Sequence, residues 1–313
     1  MISCTEFIPA YSELFSFLDE NYGGHEEVER FWTYLFQPTG KGIPLVNMVK
    51  KDGLRGAWNY SNKALSEEAA DCTRYFNEKA GWLYNEMHYC PSKGRLLQLE
   101  KELGLKPYYD YCGHCDYYRS HMDAAGLGYT RFHLHVDKAS CSQVTYDPKL
   151  FKGILVPDEN TEILEIRSAD NEYFHRDFHS SLNRGIEYVA STHGEQALTD
   201  YLVRFTESVY KPVIAAMAED PLGAIEAKIR QTYEAEKAPD VLTVVNDGST
   251  LSVTVAHCPA VKHLHQIGRE VSRWFRYTTE VVMKALAAHG GLAFEMLSYD
   301  EQTGAAAYRF ARR

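Results

Sequence analysis

Basic clusters, long apolar runs and nucleotide signatures are all missing from this 313-residue chain. Lys and Arg number 33 against 43 Asp and Glu, a formal net charge of −10, and no basic run of the kind that tracks phosphates occurs. A nucleic-acid partner needs a basic footprint, so the composition argues against one. No uninterrupted apolar stretch approaches the ~18 residues that span a bilayer. The opening Met-Ile-Ser-Cys-Thr-Glu also lacks the basic start, apolar segment and small-residue cleavage site of a secretory signal. No membrane partner and a cytoplasmic location are therefore expected. A Gly-rich phosphate loop, a dinucleotide fingerprint and a Gly-x-Ser-x-Gly elbow are absent too, which leaves nucleotide chemistry without support.

What remains is the composition of a globular protein. Apolar residues make up 45% and charged residues 24%, enough to bury a sizeable core. Aromatics reach 13%, with 22 Tyr, a bias that suits packed sheet faces and ligand pockets alike. The seven cysteines are an odd count. Without a secretory signal they read as thiols or ligands rather than as disulfides.

An internal repeat organises the chain. Cys90-Pro91 recurs as Cys258-Pro259, an offset of 168 that also matches Pro44 to Pro212, Leu96 to Leu264, Gln98 to Gln266 and Glu102 to Glu270. Downstream, Ala124 and Gly126 match Ala288 and Gly290 at 164, the difference being absorbed by Gly104-Leu-Lys-Pro107. Each copy reads as a helical lead-in (26–36 and 43–69; 196–217 and 221–236) followed by ββααββ. The hairpins are Phe76 to Cys90 and Val241 to Cys258, with Glu-Lys-Ala-Gly and Asn-Asp-Gly turns. The helices that follow open at Cys-Pro, where proline is favoured. Second helices lie around 110–124 and 272–289, and two strands close each copy. The expected fold is α+β, two tandem divergent copies: 1–148 with the cysteine cluster, a connection over 149–171, and 172–313. Within the connection, 153–156 and 162–166 have the character of short strands.

Features shared by the copies serve the fold, and unshared ones are candidates for chemistry. Cys112, Cys115 and Cys141 face Arg276, Thr279 and Ala305 at the 164 offset, so the cluster belongs to the first copy alone. Cys-x-x-Cys at the start of a helix suits soft-metal ligation or dithiol redox. In the ββααββ unit, Cys90, Cys112, Cys115 and Cys141 could converge, with His88 and His114 as nearby nitrogen donors, into a zinc-type site. Buried inert thiols are the alternative. His175 and His179 stand at i and i+4 and could share one metal from a helix face, with Glu187 beyond them; packing or surface roles compete with that. His257, His263 and His265 flank Cys258. Arg131, His133 and His135 alternate along a strand and would share one face.

Cys90-Pro91 opening a helix, Cys112 in the next segment and Cys141 on the closing strand resemble the pattern of the L-2-amino-thiazoline-4-carboxylic acid hydrolase-like proteins. The layout is also similar to vinyl-reductase-type small-molecule-binding domains. The second copy keeps Cys258-Pro259 of this pattern, and Cys115 beside Cys112 departs from it. The resemblance implies opening of a small cyclic amidine or amide-like ring by water at a thiol-lined site. Cys90 or Cys112 would then be the nucleophile, or a bound zinc would activate water with Asp116 and His114 handling protons. The competing expectation is a non-enzymatic protein that binds a small molecule or a metal.

Overall fold

The computed structural model describes residues 1–37 and 44–313. Helices and antiparallel sheets are both present, as expected for an α+β chain. It forms two compact units, Gly23–His175 and a later one made of Met1–Tyr22 with Arg176–Arg313. The division therefore differs from the expected 1–148, 149–171 and 172–313 in two ways. Helix α1 (Phe7–Asn21) buries an almost continuous apolar surface in the later unit, where Tyr201 donates to the Ala10 carbonyl at 2.8 Å and Arg204 reaches Glu13 at 3.0 Å. The connection belongs to the earlier unit, because residues 162–166 add a strand to its sheet while 153–156 stay irregular.

The earlier unit runs α2 (His25–Leu35), α3 (Pro44–Glu67, broken at Gly53), β1 (Asp71–Asn77), β2 (Trp82–Tyr89) and α4 (Pro91–Leu103). A 3-10 turn over Tyr111–Tyr117, α5 (Tyr118–Asp123), β3 (Gly128–His135), β4 (Ser140–Tyr146) and β5 (Glu162–Ile166) complete it. Its sheet is antiparallel in the order β3-β4-β2-β1-β5. Strand alternation buries Cys72, Arg74 and Phe76 on one face and leaves Tyr75 and Tyr84 stacked on the other, 5.8 Å apart. Phe76, Leu83 and Tyr129 meet Leu54, Ala57, Trp58 and Met122 in one apolar cluster. Cys72, Met87 and Ile166, with Cys90 and Cys141 beside them, form another.

Between these clusters a polar row crosses the same face. The register pairs Arg74 with Asn85, Asn85 with Gln143, and Gln143 with Arg131, so the four side chains stand in line across β1, β2, β4 and β3. A buried polar atom without a hydrogen bond costs about 1–3 kcal/mol, so such a row is unusual inside a core.

The later unit continues with α6 (Phe178–His193), α7 (Glu195–Val209), α8 (Lys211–Ala216) and α9 (Pro221–Ala235). Then come β6 (Leu242–Asn246), β7 (Thr250–Val255), α10 (Pro259–Gln266), α11 (Tyr277–His289), β8 (Leu292–Tyr299) and β9 (Ala306–Arg312). Its sheet order is β6-β7-β9-β8, which is first–second–fourth–third, as in β1-β2-β4-β3 of the other unit. Other details recur at the sequence offsets. The Cys90 N–H donates to the Ala139 carbonyl at 2.6 Å, and the Cys258 N–H to the Thr303 carbonyl at 2.9 Å. The third strand of each sheet carries a register shift, after Phe132 and after Met296.

That irregularity changes one expectation. His133 sits at φ +51, so Arg131, His133 and His135 do not share a regular strand face. Among the described residues no helix is long and apolar enough to cross a membrane.

The strand-to-helix corner of the later unit is tight. Gly304 adopts φ +66, and a Cβ there would lie 2.4 Å from Cys258 Cβ. Gly304→Ala therefore meets both backbone strain and a clash, and should destabilise the protein by about 2 kcal/mol. Urea denaturation checks this; an unchanged midpoint would show that the corner yields freely.

Candidate functional site

The cysteine cluster assembles from three segments of the earlier unit. β2 ends at Tyr89, and Cys90 caps α4, its sulfur accepting the Lys93 N–H at 3.5 Å. Cys141 lies on β4 opposite Met87, and the Cys90–Ala139 hydrogen bond ties that strand to the corner. Cys112 and Cys115 were expected at the start of an α-helix. They lie instead in the 3-10 turn Tyr111–Tyr117. With three residues per turn, positions i and i+3 eclipse, so the two thiols occupy the same side of it.

Arg131 fastens this turn to the sheet. Its guanidinium donates to both carboxylate oxygens of Asp116, at 3.0 and 2.8 Å, and to the Cys112 carbonyl at 2.6 Å. Asp116 is thus engaged in a bidentate pair, which counts against its expected proton-handling role. His88 is displaced from the cluster as well: it is exposed on the opposite face of β2 from Met87 and pairs with Thr73.

Burial sets the electrostatics. Loss of water raises all four thiols, and their mutual proximity raises Cys90, Cys112 and Cys141 further. Cys112 and Cys115 are pushed up to about 11 and Cys141 to about 12, while Cys90 goes higher still. The partial positive charge at the α4 N-terminus does not offset this. His114 moves the other way, lowered by burial to about 4. Its Nδ1 pairs with the Tyr111 carbonyl, which assigns the proton to Nδ1 and turns the Nε2 lone pair to Cys115 Sγ, 3.5 Å away.

A carboxyl that sequence reasoning missed faces the same corner. Glu68, just past α3, is raised by burial and lies within electrostatic range of His114 and Cys115. It belongs to no motif, and only the return of α3 to the sheet brings it there.

His175 and His179 do not share a helix face. α6 begins at Phe178, so His175 precedes it, and the two fall in different units. His175 Nδ1 pairs with Glu67 at 2.8 Å. His179 Nε2 lies 3.1 and 3.0 Å from the two oxygens of Glu236, whose Oε1 also accepts the Cys4 N–H at 2.6 Å. Glu187 accepts the Ser272 hydroxyl, and His263 pairs with Asp177. Cys4, His179 and Glu236 are each 1% exposed, and their donor atoms lie within 4.8 Å of one another. Among the described residues they are the set of three metal-type donors brought that close; the four thiols of the other unit are not.

No family model, curated protein or solved structure matches the chain.

Of these two groups, the Cys4–His179–Glu236 set is joined through Glu236, which meets the Cys4 N–H and His179 Nε2, while the buried Nδ1 of His179 has no hydrogen-bond partner among the described residues. Cys4 and Glu236 are 232 positions apart, and no local pattern marks either. The His179 pair holds the Glu236 carboxyl below its ordinary range against the opposing effect of burial. A carboxyl depressed in the folded state contributes stability above its unfolded pKa of about 4.3, and loses it as pH falls through the lower folded value. Glu236→Ala should cost about 3–5 kcal/mol by stranding buried His179. Glu236→Gln should flatten the fall in Tm on acidification below about pH 4.3. Scanning calorimetry across pH decides it, and a variant as acid-sensitive as the parent would assign the sensitivity elsewhere.

Proposed function

We propose that the Gly23–His175 unit binds a small molecule beside its thiol corner, with the thiols holding a soft divalent cation. Zinc is the first choice by donor chemistry. The carrying observation is that four thiols from three separate segments gather at one corner and are all kept protonated by burial. A protonated thiol is a poor nucleophile, but a divalent cation can displace the protons and compensate the sulfur charge. His114 and Glu68 widen the available donor set. On this reading the chain is a binding protein of sensor type. We also infer that the two units are divergent copies of one ancestor, of which only the earlier carries Cys112, Cys115 and Cys141; the common strand order and the recurring corner support this.

One observation favours a second reading, hydrolysis of a cyclic amidine or amide-like ring. The Tyr111 carbonyl, His114 and Cys115 line up as orienting group, base and thiol. Against it stands the proton balance, with the thiol near 11 and the imidazole near 4, which keeps the proton on sulfur.

Elemental analysis of untagged protein separates these readings. The parent should carry about one zinc per chain, and the Cys112→Ser, Cys141→Ser double variant should lose most of it while remaining folded. Because metal must displace thiol protons, affinity should rise steeply from about pH 6 to about pH 8. Metal-free protein whose double variant behaves like the parent would overturn the metal reading.

Alkylation by iodoacetamide tests the hydrolase. Cys115 should react slowly near neutrality in metal-free protein and speed up only toward pH 11. A rate that already plateaus near pH 7 would favour the thiolate enzyme.

A further inference from the structure

We propose that Arg74 and Asn85 form the recognition end of a binding site for a small organic oxyanion, on the helix-covered face of the earlier unit's sheet. Both residues are 2% exposed. Arg74 has no carboxylate partner among the described residues: Nη1 donates to Asn62 Oδ1, Nη2 donates to Ser61 Oγ at 2.7 Å, and the guanidinium lies 5.0 Å from the Trp58 ring centroid. Among the described residues its Nε–H has no hydrogen-bond partner, and neither does the amide nitrogen or the amide oxygen of Asn85 directly across the ladder. Arg131, at the other end of the polar row, is neutralised by Asp116. The two arginines of one row are therefore treated differently. One has its counter-charge built in, and the other does not.

Burial without a counter-charge pulls Arg74 down to about 10, so it still carries its charge at neutral pH. The free donors specify the partner. Nε–H and Nη2 share one edge of the guanidinium fork, the geometry that receives two oxygens of a carboxylate or phosphate. Asn85 adds an N–H donor for the anion and a carbonyl acceptor for a neighbouring O–H or N–H of the same ligand. Cys72, Met87 and Cys141 form the next row on this face, about 7 Å along the strands. The polar row thus stands between the two apolar clusters, and the Cys72–Met87–Cys141 row belongs to one of them. The anion site rests on the reading that the unit binds a small molecule, and it names the charge that molecule carries.

Thermal denaturation of the full-length protein tests it, with benzoate and inorganic phosphate as separate probes. One of them, in large excess over its Kd, should raise Tm by about 3 °C. A rise with benzoate alone assigns a carboxylate, and a rise with phosphate alone assigns a phosphoryl group. Arg74→Met keeps the side-chain volume and removes the unmatched charge. It should raise Tm without ligand and abolish the anion effect, which a merely structural arginine would not do. Asn85→Ala should at least halve the anion-induced rise. Absence of any rise in the parent, or a rise that survives in Arg74→Met, overturns the proposal. Zinc content reports on the thiol corner by itself, so loss of one reading leaves the other measurable.

Discussion

One backbone hydrogen bond organises each unit. Where the second strand of the sheet hands over to a helix, the cysteine N–H at the helix cap donates to the carbonyl just before the fourth strand, Ala139 in one case and Thr303 in the other. Proline at the next position suits the helix start and cannot compete as a donor there. The bond draws the returning strand against the first hairpin, so the third and fourth strands join on that side and the intervening helices lie across one face. First–second–fourth–third order follows from that constraint. The same corner delivers its cysteine side chain to the interior, beside whatever the fourth strand and the intervening segment bring.

What they bring differs between the units. In the earlier one the intervening segment tightens into a 3-10 turn that presents Cys112 and Cys115 together, and Arg131 clamps it through Asp116 and the Cys112 carbonyl. In the later one Cys258 meets the sulfur of Met1 at 3.4 Å. Burial then decides the chemistry. A helix N-terminus is worth a few tenths to about 1 kcal/mol to a thiolate, which the loss of water at these positions exceeds. Cysteine at a helix cap is commonly taken as activated; here the balance of the two effects keeps the proton on sulfur.

The elements and their order were legible because hairpin turns and Cys-Pro helix starts are local signals. The ββααββ order implies which strand ends meet, and Cys90, Cys112, Cys115 and Cys141 all fall in one unit, though no three of their sulfurs lie within 4.8 Å of one another. Helix boundaries were not always legible: the run 172–179 has helical spacing, but α6 starts only at Phe178, which separates His175 from His179. Cys4, Glu236 and Glu68 left no trace in the sequence, because each is paired with its site by tertiary packing across long separations. The assignment of Met1–Tyr22 to the later unit was hidden for the same reason. An amphipathic or apolar helix advertises that it will be buried, but not against which partner.

The polar row is the feature that neither periodicity nor motif would single out. Arg74 and Asn85 occupy inward positions of two strands whose other inward residues are apolar or thiol, and a sequence reading assigns such positions to the core. A core built for stability alone would place apolar side chains there, since replacing unmatched buried polar groups by hydrophobic ones of similar volume is commonly neutral or stabilising. Retaining a guanidinium without its carboxylate, one row away from protonated thiols, therefore trades stability for recognition. Cys72, Cys90 and Cys141 pack like small apolar residues in the neighbouring cluster. Both features face the same side of one sheet, so the face that holds the unit together also carries the unmatched polar atoms of Arg74 and Asn85.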